Sequence, residues 1–139
     1  MGGPKIIRFR DVINIFKGLT WLWVTFLMYH FNNFSTGMWL YLGLHGSYGI
    51  FWVAKDMISP DATFNHKQSI ISNILCASFL MIYWSTPIPL AMGYGISEPS
   101  TARIIYIVAQ YVTGLFLMLG SDYSKYHILK KKKGRSDQR

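Results

Sequence analysis

Cysteine is nearly missing from this chain. Cys76 is alone, set within an apolar stretch, so neither a disulfide framework nor a cysteine-based zinc cluster can form. It reads as a small packing residue in a helix. Charge is also scarce, at 14% of residues, against about 25% in an ordinary soluble domain. Acidic residues are scarcer still, six against 14 Lys and Arg, which leaves a formal net charge of +8. No proline interrupts any of the long apolar runs, and no internal repeat is visible. There is no glycine-rich phosphate loop, because GYG at 93–95 lacks the required strand and spacing. No metal site is expected, since His30, His66 and His127 fall near segment ends and nothing stands at ligand spacing from His45.

What remains is apolar and aromatic. Hydrophobic residues make up 51% of 139 residues, and aromatics 17%, with five Trp and nine Tyr. The length suits a single domain. Four apolar segments, 18–34, 37–54, 69–86 and 101–120, each approach the ~20 residues that a helix needs to cross a bilayer. In lipid the backbone must satisfy itself, so helix is the expected form. The expectation is an all-α membrane protein with four transmembrane helices.

The charges orient it. Lys5, Arg8, Arg10 and Lys17 precede the first segment, and Lys55 and Lys67 lie between the second and third. Lys125, Lys130 to Lys133, Arg135 and Arg139 follow the fourth. With four crossings every basic residue except Arg103 lies on one face. Basic loops stay on the cytoplasmic or matrix side, so both termini are expected there. Residues 1–17 are expected to form an amphipathic helix on the membrane surface, with basic residues between Ile6, Ile7, Phe9, Val12, Ile13 and Phe16. Such a segment serves either as a surface anchor or as a mitochondrial targeting signal. Residues 121–139 form a basic helical extension. Ser59-Pro60-Asp61 reads as a turn, and Pro87 and Pro89 break or kink the third helix on exit. Ser97, Glu98 and Pro99 read as the start of the fourth helix, a hydroxyl cap followed by an acid and an early proline.

Several residues are candidates for function. Gly43, Gly46 and Gly49 recur every third residue, which either lets another helix pack closely or opens a groove for a flat ligand. His45 lies mid-segment, where an ionisable group is a catalytic candidate or else a neutral helix–helix bond. Tyr41, Tyr48, Tyr83, Tyr106 and Tyr111 place hydroxyls in or near the spans, suited to an interfacial belt or to proton donation. Asp122 ends the last apolar run, facing Lys125 and Tyr126 at helical spacing. Lys130, Lys131, Lys132 and Lys133 would meet anionic lipid headgroups, a nucleotide phosphate or an acidic partner subunit.

Two stretches carry a family resemblance. GSDYSKYHILKKKKG, 120–134, resembles the SD-x-Q-K-Y-x-x-L-K-x-x-K-G stretch of the steroid 5α-reductase superfamily. LHGSYGIFWVAKDMISPDATF, 44–64, resembles the HG-[ST]-YG-x-x-W-x-x-KD-x-x-x-PD segment of that superfamily's branch of uncharacterised membrane proteins. The resemblance implies a helical membrane fold that binds NADPH from the cytosolic side and reduces a conjugated double bond. It assigns Asp122 to the cofactor site. The family's asparagine four residues earlier is Met118 here, so one cofactor contact is missing. Relatives also continue into an R-x-P-N-Y-x-G-E signature, and this chain reaches Arg139 without it. Catalysis depends on a positioned set of groups, so the departure weakens the enzymatic expectation.

The leading expectation is therefore a non-catalytic accessory subunit of a larger membrane complex, set in the mitochondrial inner membrane with the endoplasmic reticulum as alternative. A respiratory-chain assembly is the favoured complex. Other membrane subunits and anionic lipids are the expected partners, and nucleic acid is not. No cofactor is expected on this reading. The alternative is an NADPH-dependent double-bond reductase, or half of one, with Asp122 and Lys125 on the cofactor and His45 on the substrate. A small four-helix transporter is the third reading.

Overall fold

The computed structural model describes residues 5–61, 64–95 and 97–136. Its first element is a strand, β1 (Lys5–Arg8), followed at once by helix α1 (Phe9–His30). The expected separate surface helix over 1–17 is therefore corrected within the described residues. Residues 5–8 are extended, and 9–17 are the opening turns of α1. The reason is pairing: β1 runs antiparallel to β2 (Lys67–Ser69), with Arg8 opposite Lys67 and Ile7 opposite Gln68. Residues 1–4 lie outside the described residues.

α1 ends where Asn32 turns left-handed at φ 48°, a conformation asparagine tolerates better than most residues. Asn33 then donates from Nδ2 to the Leu90 and Ala91 carbonyls at 3.0 and 3.1 Å, tying the turn to a helix far along the chain. The next helical run has three parts: α2 (Thr36–Tyr41), a π-helical turn at Leu42–Gly46, and α3 (Ser47–Ile58). After β2 come α4 (Ile70–Ser85) and the short α5 (Pro87–Ala91), and finally α6 (Thr101–Ser136). Ser69 caps α4, its Oγ accepting the Ser72 N–H. The expected break at Pro87 is a single interruption at Thr86, with Pro87 opening α5 where its missing N–H costs nothing.

Among the described residues three helices are long and apolar enough to cross a membrane: Phe9–His30, the α4–α5 run Ile70–Ala91, and Thr101–Lys132 of α6. The chain is thus a helical membrane protein with three candidate spans. The expected crossing at 37–54 corresponds to the helical run from α2 through the π-helical turn to α3, which is not among those three.

Packing is concentrated on α1. Val24, Leu27 and Met28 meet Met38 and Ala91 in a buried cluster, joining α1 to α2 and α5. Lower down, the Trp84 indole stacks on Trp23, with centroids 5.4 Å apart, and lies 4.9 Å from Phe16. Both indole N–H groups are used. Trp23 donates to the Trp84 carbonyl at 2.8 Å, and Trp84 to the Phe16 carbonyl at 3.2 Å. α3 approaches through glycine: a methyl built at Gly49 would overlap the Lys17 carbonyl oxygen, and one at Gly46 would lie 3.0 Å from Trp21 Cβ. Gly43 has open space around its Cβ position, so only two of the three glycines serve close packing.

α6 begins at Thr101, as the span 101–120 predicts, but Ser97 does not cap it: the Ser100 Oγ faces the Arg103 N–H at 3.4 Å. Glu98 instead accepts the Thr36 N–H at 3.1 Å, and the Ser97 carbonyl accepts that of Gly37 at 2.7 Å. The acid expected at one helix start thus serves another. Among the described residues only a stripe of α6 is half-buried, through Ile104, Ile107, Tyr111, Leu115, Met118, Leu119, Asp122 and Tyr126. Its remaining apolar side chains are exposed, Phe116 at 74% and Ile105 at 64%.

Candidate functional site

Two polar sites hold α6 against the rest. The first joins the segments that carried the family resemblance. Lys55, in the last turn of α3, donates to the Asp122 carboxylate at 2.8 Å. One helical turn on, Lys125 reaches Asp61 at 2.8 Å. Lys55 is the more deeply set, its side chain 5% exposed against 30% for Asp122, and its ammonium also lies 4.6 Å from the Trp52 ring. A cation so placed needs its anion, because an unpaired buried charge is far costlier than an unpaired surface one. Neighbouring Asp56 is held in the same way by Arg10 at 2.9 Å and by the Asn14 amide at 2.7 Å. Between α3 and α6, Lys55, Asp61, Asp122 and Lys125 border a cavity of about 340 Å³, walled also by Pro60, Tyr126 and Lys130.

Asp122 and Lys125 are thus brought together with partners that spacing along one helix did not reveal. Asp122 was expected to face Lys125, and its bonded partner is Lys55. Lys130, Lys131 and Lys132 continue along α6, with Lys131 and Lys132 exposed. Lys133 belongs to the same helix, and its side chain lies outside the described residues.

His45 is elsewhere. It sits in the π-helical turn, stacked on Tyr41 at 4.1 Å, with Nδ1 3.1 Å from the Tyr83 hydroxyl. Such turns lodge one extra residue in a helix and often mark functional positions. Of the three residues of the reductase expectation, Asp122 and Lys125 line one cavity and His45 another.

The second site was not found from the sequence. Lys17 of α1 projects among aromatic faces, with Nζ 4.1 Å from the Tyr83 ring centroid and 4.6 Å from that of Tyr48. With His45 and Tyr111 these residues border a hollow of about 440 Å³. Tyr111 crosses from α6 to bond Ser47 at 2.7 Å. The sequence counted Lys17 among the basic residues ahead of the first span, whereas α1 begins at Phe9 and carries it inside. The signal available was that no proline separates Arg10 from Trp21.

Among the described residues no group of three or more His, Cys, Asp or Glu side chains is placed to hold a metal ion. Outside the spans, Glu98 has its carboxyl held below the usual range by the hydrogen bond from Thr36. In comparisons with protein-family models, curated proteins and solved structures, nothing matches this chain. The three candidate spans among the described residues support an integral membrane protein.

Proposed function

We propose that the protein is a non-catalytic accessory subunit of a larger membrane complex, set in the mitochondrial inner membrane and most simply in a respiratory-chain assembly. The observation that carries this reading is α6. It is the most apolar of the candidate spans, yet it meets its own chain along one half-buried stripe and leaves the rest of its surface to neighbours. A helix stitched on by Ser47–Tyr111, Lys55–Asp122 and Asp61–Lys125 is presented rather than enclosed. On this reading the interrupted run from α2 to α3 completes a fourth crossing. Both termini then share the basic face, and the lysines from Lys130 onward meet anionic headgroups or an acidic subunit.

A second reading is favoured by the cavity at Asp122. The two stretches resembling reductase segments meet there, with Lys55, Lys125 and Lys130 around about 340 Å³. That supports an NADPH site, with Asp122 and Lys125 on the nucleotide. One experiment divides the readings: gentle purification from native membranes, identification of what co-migrates, and titration with NADPH. Stoichiometric recovery with a respiratory complex and no nucleotide binding supports the accessory role. Saturable NADPH binding by the isolated chain, lost in Asp122→Ala, overturns it.

A further inference from the structure

We propose that the hollow at Lys17 binds the head of a single-chain anionic lipid, a long-chain carboxylate. Arg10, Lys55 and Lys125 each have a carboxylate within 2.9 Å. Lys17 is half-buried within a candidate span, and among the described residues it has neither ion pair nor hydrogen bond. Tyr83, Tyr48 and Trp52 surround its ammonium with ring faces, at 4.1, 4.6 and 5.9 Å. Cation–π contact tolerates the charge but leaves the three N–H donors without an acceptor. The Tyr48 hydroxyl, on the same hollow, also lacks a hydrogen bond among the described residues, unlike those of Tyr83 and Tyr111. One ammonium beside one uncommitted phenol matches a head with a single negative charge and two oxygens.

The surroundings add the tail. A second hollow, about 310 Å³, shares Lys17 and Tyr48 with the first and is otherwise apolar, with Ile13, Phe64, Phe79 and Leu80 in its wall. One hollow carries the ammonium with the phenol and imidazole groups, its neighbour is lined almost wholly by apolar side chains, and Lys17 and Tyr48 stand on both, an arrangement that matches an amphiphile. A membrane supplies such molecules at high local concentration. The inference is independent of whether the chain serves as an accessory subunit.

The test is scintillation-proximity binding of tritiated palmitate to the full chain in non-ionic detergent, with hexadecanol and acetate as competitors. Palmitate should bind saturably. Hexadecanol and acetate should compete at least about tenfold more weakly, since one lacks the charge and the other the tail. Lys17→Met should weaken palmitate by roughly tenfold to a hundredfold and leave hexadecanol unchanged. Tyr48→Phe, which keeps the ring, should weaken palmitate several-fold. Equal competition by hexadecanol, equal competition by acetate, or full palmitate affinity in Lys17→Met would each overturn the proposal. If Lys17→Met does not fold, the comparison of palmitate with hexadecanol on the native chain decides it.

Discussion

Replacing Gly49 by alanine tests whether α1 and α3 are set together by backbone contact. Two effects oppose each other. Alanine is favoured over glycine in a helix interior by about 1 kcal/mol, so on propensity alone every such change should stabilise. At Gly49 the new methyl would overlap the Lys17 carbonyl oxygen, a backbone atom that no rotamer change can move aside. The helices must separate, and overpacking of that kind costs about 1–3 kcal/mol or more. The clash should win, for a net loss of about 1–2 kcal/mol. Gly46, whose Cβ would lie 3.0 Å from Trp21 Cβ, should be close to neutral. Gly43 has nothing within 4 Å, so its alanine should gain stability. Buried Cys76 supplies the assay, since a thiol-reactive fluorophore reports its exposure on heating in detergent. Each kcal/mol corresponds to a Tm shift of about 2–4 °C in a chain of this size class. The melting temperature should be highest for Gly43→Ala, lower for Gly46→Ala and lowest for Gly49→Ala. A Gly49→Ala protein that melts with or above Gly43→Ala would refute the close approach.

Two further outcomes follow from the polar ties. A double-mutant cycle on Lys55→Met and Asp122→Asn should give a coupling of about 1–3 kcal/mol in the same assay, reduced towards the low end because Asp122 is partly exposed; a coupling near zero would mean that the pair does not hold α6. Glu98 has its folded pKa below its unfolded one, so its contribution is complete above the ordinary carboxyl range and is lost as pH falls through the depressed value. Hydrogen exchange at the Thr36 amide, corrected for intrinsic rate, should accelerate on acidification in the native protein. In Glu98→Gln that pH step should vanish, and an identical step would rule Glu98 out as its source.

The parts of the fold legible in the sequence were those governed by hydropathy over long windows. The helices at Ile70–Ser85 and from Thr101 onward begin within a residue of the expected 69–86 and 101–120, because lipid leaves such runs no alternative to helix. The start of α1 was misread because β1 is created by pairing with β2, about 60 residues away, and no local pattern encodes a partner at that distance. The run at 37–54 read as an ordinary span because a π-helical turn changes no hydropathy. At the candidate sites, Asp122 and His45 were visible as isolated ionisable groups. Their partners Lys55 and Tyr83 were not, since helical spacing predicts only neighbours on the same helix. Lys17 was hidden for a different reason. A lysine near the end of an apolar run resembles a flanking charge until the helix is seen to begin well before it.

The helix ends are finished by residues that are synthesised much later. Asn33, at the close of α1, reaches carbonyls of α5, and Thr36, at the start of α2, donates to Glu98. During translation the first helix and the turn after it therefore emerge before the groups that complete them exist. Until residues 90–98 have left the ribosome, water or lipid headgroups must stand in for those partners. The first two helical elements can enter the membrane and meet through Val24, Leu27, Met28 and Met38 early, but these end bonds form only when the segment ahead of α6 arrives. Assembly of this protein thus has a late closing step, set by the position of a few side chains in the order of synthesis.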